Sequence, residues 1–207
     1  TLAAPLLQAD AQAHVLDLCA APGGKTLQLA ARGVKVTALD ASESRLERLT
    51  ANLARTGLSA QTLLGDLESW GAPEKYSHVL LDAPCTATGT IRRHPDLPLL
   101  RRRGDIEKSA HVQSALLDQA AAATAPDGTL VYCVCSLEPE EGEGAAEAFL
   151  ARHERFYRVH IVADELPTCL SAAATAAGYL RTTPANLAAF GGCDGFFAAR
   201  FHRKAEA

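Results

Sequence analysis

Short apolar runs alternate with alanine-rich amphipathic stretches through most of the chain, a pattern that predicts strands separated by helices. Val15–Cys19 reads as a buried strand, followed by a glycine turn and a helix over Lys25–Ala31. Val34–Asp40 is a second strand, and Glu43–Arg55 a helix with Ser42 as its N-cap and Gly57 as its stop. Thr62–Leu64 and Ser77–Asp82 read as further strands, whereas residues 83–104 carry no period and read as a long functional loop. Asp105–Ala123 is helical, Gly128–Cys133 is a strand, and Pro139 opens another helix. Phe156–Val162 and Gly195–His202 close the chain as strands with irregular sequence between them. This order implies an α/β fold with a mostly parallel sheet and helices on both faces. Ligands of such sheets sit beyond the carboxyl ends of the strands, which singles out the residues after Cys19, Asp40, Asp82 and Cys133.

The first of these ends runs through Cys19, Ala20, Ala21, Pro22, Gly23, Gly24 and Lys25. Small residues there let the backbone approach a ligand. A glycine turn alone is a weak signal, but Asp40 at the end of the second strand can accept both hydroxyls of a ribose, and Asp66 after the third can meet an adenine edge. Asp40 could instead be an acid at a helix start, and Asp66 an ordinary turn residue. Lys25 is a cation at the unfavourable end of a helix dipole, so an anionic group or a catalytic carboxylate is its expected partner. The dinucleotide and triphosphate glycine signatures are both missing.

The fourth strand delivers Asp82-Ala83-Pro84-Cys85 and the fifth Cys133-Val134-Cys135-Ser136, which puts Cys85 and Cys135 on one rim with the glycine turn. Thiols there suit covalent catalysis: a thiolate adding to C6 of cytosine makes C5 nucleophilic enough to accept a methyl group. The thiolate needs nearby positive charge, from Lys25, a cofactor sulfonium or the helix start after Pro139. Asp82 can donate to or accept from the cytosine N3/N4 edge. The residues alone leave the two thiols unordered. Cys133, Cys169 and Cys193 read as small buried hydrophobes. A zinc site from Cys19, Cys85, Cys133 and Cys135 lacks paired C-x₂-C spacing and histidine support, so no metal is expected.

Composition narrows the picture. With 207 residues, 48% hydrophobic and 21% charged, the chain can build its own core without disulfides. No apolar run is long enough to cross a bilayer and no signal segment opens the chain, so a cytoplasmic location and a monomer are expected. The chain starts at Thr1 and has no methionine, so it reads as a piece of a longer protein. A net charge of −4 argues against a stand-alone nucleic-acid binder. Against that, Arg92, Arg93, His94, Arg101, Arg102 and Arg103 cluster in and after the long loop, where phosphate contacts would sit beside the reactive rim. Aromatic residues, at 5%, are too few for extensive base stacking.

DLCAAPGGKT, LDAPCTATGTIRRHPD, CSLEPEE and the terminal GGCDGFFAARF together closely resemble the NOL1/NOP2/Sun family of RNA cytosine-5 methyltransferases, most like its bacterial small-subunit rRNA group. The resemblance implies a Rossmann-like class I methyltransferase fold, spanning residues 1–207 as one catalytic domain, whose last strand pair is reversed. It implies S-adenosyl-L-methionine as cofactor, held along Cys19–Lys25 and by Asp40, Asp66 and Asp82. It makes Cys135 the nucleophile and Cys85 the residue that assists product release, with RNA as partner: rRNA by subgroup, tRNA as the other candidate. Two departures stand out. Val134 replaces the threonine usual before the nucleophile, and Cys193 interrupts the usual glycine-glycine-aspartate stretch, where a local turn change is expected. An N-terminal RNA-binding region found in the bacterial group is expected to be missing from these residues. A small-molecule methyltransferase or an oxidoreductase would leave Cys85 and Cys135 unused, and a non-catalytic RNA-binding factor would have no need of them.

Overall fold

The computed structural model describes residues 2–67 and 69–206. A short helix, α1 (Ala3–Leu6), precedes β1 (His14–Leu18), α2 (Gly24–Ala30), β2 (Lys35–Asp40), α3 (Glu43–Thr56), β3 (Gln61–Leu64) and β4 (Tyr76–Asp82). Then come α4 (Leu97–Leu100), α5 (Arg103–Ala123), β5 (Thr124–Val134), α6 (Glu143–Arg152), β6 (Phe156–Arg158), β7 (Leu180–Thr182) and β8 (Phe196–Arg203). The strands form one sheet in the order β3-β2-β1-β4-β5-β8-β6, with β7 also paired to β8. The first five are mutually parallel, and β8 runs antiparallel to β5, β6 and β7. Strand order reverses between β1 and β4, so the crevice expected of an open α/β sheet opens between the residues that follow them.

Period-two alternation sorts the central strands onto two cores. Leu16, Leu18, Leu81, Leu130, Tyr132 and Val134 face α5 and α6, where Leu117, Ala120 and Phe149 meet them. Val15, Leu80, Val131 and Cys133 face the other way, against Leu6 and Leu7 at the chain start and Leu29 of α2. Both faces are apolar, as strands covered on both sides require. Val134, where a threonine was usual by resemblance, is fully buried and paired with Phe197 of β8.

Several boundaries differ from the sequence reading, each for a long-range reason. The strand expected over Phe156–Val162 ends at Arg158. Beyond it, the buried Arg200 guanidinium donates to the carbonyls of His160 and Leu6 and to Glu165, drawing the chain under β8 instead of along it. β7 went unpredicted because three residues carry no period. β5 begins at Thr124 rather than Gly128, through an irregular stretch where the register to β4 shifts between Tyr76 and His78. The loop over 83–104 contains α4, and α5 starts at Arg103, two residues before the expected Asp105. The helix expected at Pro139 starts at Glu143, because residues 138–142 close tight turns, with Gly142 N donating to Pro139 O at 3.2 Å and Gly144 N to Pro139 O at 2.8 Å.

Three segments from distant parts of the chain meet at Gly89. Its N–H donates to Cys135 O at 3.0 Å, and its carbonyl accepts from Gly195 N at 2.7 Å. A Cβ here would lie 2.1 Å from Gly195 O and 2.9 Å from Cys135 O, so only glycine fits between the two backbones. Gly89→Ala is therefore expected to lower stability by about 1–3 kcal/mol, a fall of several degrees in melting temperature. An unchanged melt would show that the junction yields freely.

Candidate active site

The parallel pairing of β4 with β5 continues one step past the end of β4, Ala83 N donating to Cys133 O at 3.0 Å. That extension carries the two following loops forward together and leaves Cys85 Sγ 3.5 Å from Cys135 Sγ. The thiols are not equivalent. Cys85 is pushed up, first by its hydrogen bond to Cys135, then by burial and the Cys135 charge. Cys135 is lowered, first by that same hydrogen bond and against the cost of burial, with Lys25 aiding and Asp82 opposing. Cys135 is thus the more readily ionised of the two sulfurs and Cys85 the one that retains its proton longer. Sequence reasoning named Lys25 and a helix start as sources of this acidity. The helix begins farther along, at Glu143, and the neighbouring thiol, which sequence reasoning did not consider, is the largest influence.

Lys25 reaches from the first turn of α2 to Asp82 at the end of β4, with Nζ 2.5 Å from Oδ2, the carboxylate partner anticipated for it. Burial opposes its ammonium, but the surrounding Cys133 and Asp82 outweigh that and raise its pKa. Cys133 donates to the other Asp82 oxygen at 3.4 Å. Below them lies a residue that sequence reading passed over. Asp17 of β1 is fully buried, with Oδ2 accepting from Thr26 Oγ1 at 2.6 Å and Oδ1 left without a hydrogen-bond partner. Burial, partly offset by Thr26, pushes its pKa up to about 7. A signal existed: an acid at an inward position of a central strand has no solvent to face.

The glycine turn leans on α3, Ala20 and Ala21 packing with Leu46, Leu49 and Leu53. Gly23 takes φ 104°, and a Cβ there would lie 2.9 Å from Leu49 Cγ. Cys19 is pushed up to about 12 by burial and by Asp40. Asp40 is tied into the fold more tightly than a ribose acceptor alone requires. Its Oδ2 accepts from Ala21 N at 3.0 Å, and its Oδ1 accepts from Ser42 N at 2.9 Å and Arg45 at 2.8 Å. Oδ2 retains capacity for one more donor. Asp40, Arg45, Asp66 and Cys19 line a cavity of about 130 Å³ whose other walls include Leu39, Leu67, Pro84 and Leu116. Hydrocarbon walls with two carboxylates among them fit a nucleoside, a flat base with a ribose to donate.

A second cavity, of about 460 Å³, holds Lys25, Asp82 and Cys135 on one side and Thr90, Thr182, Asp194 and Phe196 on the other. Cys193 lines it too, donating to Thr183 O at 3.3 Å. It is thus half-exposed at the site instead of buried in the core, and Cys169 is exposed on the surface, so only Cys133 is the buried hydrophobe expected of the three. The residues expected to contact RNA divide. Arg93 pairs with Asp194 at 2.6 Å, Arg92 donates to Gly191 O at 3.1 Å, and Arg101 Nε donates to Thr86 O at 3.0 Å, so these three brace the site's own loops. His94, Arg102 and Arg103 are exposed, and Arg101–Arg103 line a groove with Glu138 and Glu140. Sequence reading also missed Glu141, which is buried beside the cysteine loops and accepts from Thr86 and Ser136. Among the described residues no group of three or more acidic, histidine or cysteine side chains could hold a metal ion, and no helix is long and apolar enough to cross a membrane.

Residues 4–202 match the family model described as 16S rRNA methyltransferase RsmB/F. The chain is 49% identical over 143 residues to the ribosomal RNA small subunit methyltransferase B of Vibrio vulnificus, covering 67% of this chain and 34% of that protein. To the protein of the same name from Shewanella oneidensis it is 45% identical over 155 residues, 72% of this chain and 36% of that one. The chain thus spans about a third of the length of the curated relatives it matches. In structure it resembles NSun6 from Pyrococcus horikoshii, solved with SFG, at a TM-score of 0.81 and 29% identity over 100% of this chain and 51% of that one. A methyltransferase homologue from the same organism superposes with a TM-score of 0.78 and 27% identity, covering 98% and 65%. The reversed β8 between β5 and β6 belongs to the class I methyltransferase fold these neighbours share.

Asp17 makes stability depend on pH in a stated direction. Its folded pKa is raised above the unfolded value, so its contribution is fully present below pH 3.8 and is lost as pH rises through about 7. The loss amounts to up to about 4 kcal/mol. Thermal melts of Asp17→Asn and the parent chain are expected to diverge between pH 4 and 7, with the variant the more stable at pH 8. Parallel pH profiles would mean that Asp17 does not titrate in this range.

Proposed function

The chain belongs to the RsmB/F family of 16S rRNA methyltransferases, and on that premise we propose that it transfers a methyl group from S-adenosylmethionine to C5 of a cytosine in small-subunit rRNA, with Cys135 as nucleophile. The observation that carries this reading is the thiol pair: two sulfurs 3.5 Å apart, shifted in opposite directions, with Cys135 lining a cavity beside Lys25 and Asp82. A small-molecule methyltransferase has no use for such a pair, whereas C5 of cytosine is too weak a nucleophile to be methylated unaided.

Asp40 and Asp66, with the Leu39, Leu67 and Pro84 walls, would hold the cofactor's nucleoside, and the Cys19–Lys25 turn would hold the rest of it. Bound there, S-adenosylmethionine supplies the electrophilic methyl group. The target cytosine leaves its stack and enters the 460 Å³ cavity. Cys135 adds to C6, forming an Sγ–C6 bond and leaving C5 electron-rich, while Asp82, oriented by Lys25, accepts from the N4 amino group. After C5 has been methylated, water in the cavity takes the C5 proton, and the C5–H electron pair re-forms the C5–C6 double bond and expels Cys135. Cys85 donates its proton to the departing sulfur as the Sγ–C6 bond breaks. His94, Arg102 and Arg103 take phosphates at the rim, which contributes affinity and little sequence information.

Incubation with S-adenosylmethionine and rRNA carrying 5-fluorocytidine tests the reading, since fluorine at C5 cannot leave as a proton and the adduct is trapped. A protein–RNA band on a denaturing gel is expected from the parent chain and from Cys85→Ala, and none from Cys135→Ala. Loss of the band in Cys85→Ala alone would reverse the two roles. Labelled cofactor bound with no adduct on any rRNA, in this chain or in a longer form of the protein, would refute the cytosine-C5 assignment.

A further inference from the structure

Glu141 is fully buried and takes no part in the chemistry described above. Its Oε1 accepts from Thr86 N and from Gln113 Nε2, each at 2.9 Å. Its Oε2 accepts from Ser136 Oγ at 2.5 Å and also from Thr86 Oγ1. Thr86 follows Cys85 and Ser136 follows Cys135, so one carboxylate grips the residue after each thiol. Gln113 of α5 adds a hold on the residue before Cys85, donating to Pro84 O at 2.9 Å. The glutamate is itself anchored, its carbonyl accepting from Tyr132 OH at 2.6 Å.

We propose that Glu141 is a positioning residue: through Thr86 and Ser136 it holds Cys85 Sγ within hydrogen-bond reach of Cys135 Sγ. Burying a carboxylate is costly, and an apolar residue would fill the same volume without that cost. What the apolar residue lacks is four acceptor directions meeting two separate loops. The sulfur contact has little slack. At 3.5 Å the sulfurs are at hydrogen-bond distance, and a further displacement of about 1 Å would break the contact. The proposal rests on Cys135 being the attacking sulfur, but its test requires neither RNA nor cofactor.

The test is the pH dependence of Cys135 alkylation by iodoacetamide in the folded 207-residue chain, read by mass spectrometry of the Cys135 peptide. The charged and titratable groups facing this sulfur are Cys85, Lys25 and Asp82, with Arg93 and Asp194 across the cavity. Glu141→Ala is expected to raise the midpoint by about one pH unit, a tenfold loss of thiolate below it. In a Cys85→Ala background the same substitution should add no further shift, because the route through Cys85 is already gone. Glu141→Gln keeps the shape and an acceptor, and should restore most of the lowered midpoint. Thr86→Val removes the Oγ1 contacts to Glu141 and Ser136 but keeps the backbone donor, and should shift the midpoint the same way by less, which decides the matter if Glu141→Ala does not fold. An unchanged midpoint in the folded variants would overturn the proposal, and so would equal shifts with and without Cys85.

Discussion

A carboxylate withdrawn from water must be met by donors, and the donors that meet Glu141 come from three separate places in the chain. Thr86 lies beyond β4, Ser136 beyond β5 and Gln113 in the middle of α5, while Glu141 itself occupies the turn before α6. Among the described residues no cation lies within ion-pair distance of it, so these hydrogen bonds are what make its burial tolerable. The requirement works in both directions. Satisfying the carboxylate fixes where the two cysteine loops end, and it holds residues 138–142 in tight turns, delaying the start of α6 until Glu143. The neighbouring glycine junction is a steric version of the same constraint, with Gly89 admitting the Cys135 and Gly195 backbones at a distance no side chain allows.

Around this frame the site concentrates charge where the fold alone would not place it. Asp17, Asp40 and Asp82 end or nearly end adjacent strands, with Lys25 paired to Asp82 and Arg45 to Asp40. Asp40 is settled by backbone N–H groups and Arg45, whereas Asp17 has one oxygen with no partner and resists ionisation. Core positions of this kind favour leucine or valine for stability. An acid there is tolerated because the local field it helps to shape matters more to a reactive site than the last increment of stability.

The sequence made the architecture legible wherever the information was local. Alternation located the parallel strands, and the rule that ligands sit at their carboxyl ends brought Cys85, Cys135, Asp82 and the glycine turn together from residue order alone. Ser42 capping α3 and Gly57 ending it are likewise local, Arg45 N donating to Ser42 Oγ at 3.4 Å. Features that depend on partners far along the chain could not be read. Glu141 sits in Glu138-Pro139-Glu140-Glu141, which looks like a solvated acidic helix start, and only Thr86 and Gln113 reveal it as a core residue. Arg92, Arg93 and Arg101 look like a phosphate-binding run, yet their first partners are Gly191, Asp194 and Thr86 of the protein itself. Arg200, read as one more strand residue, bends the chain after Arg158 through contacts 40 and 35 residues away.

The two thiols show how such long-range placement becomes chemical direction. A pair of cysteines at hydrogen-bond distance is nearly symmetric, and nothing in Pro84-Cys85 or Cys135-Ser136 says which sulfur keeps the proton. The surroundings break the tie. The hydrogen bond between the sulfurs raises Cys85 and lowers Cys135, and Lys25 facing Cys135 favours ionisation there. Asp82 acts against Cys135, but its charge is already paired with Lys25, which limits the opposition. Cys85 is therefore the sulfur that gives up its proton less readily, and Cys135, the more readily ionised, lines the cavity beside Asp82. The loops that Glu141 grips and the lysine in front of them thus make two like groups unequal in acidity.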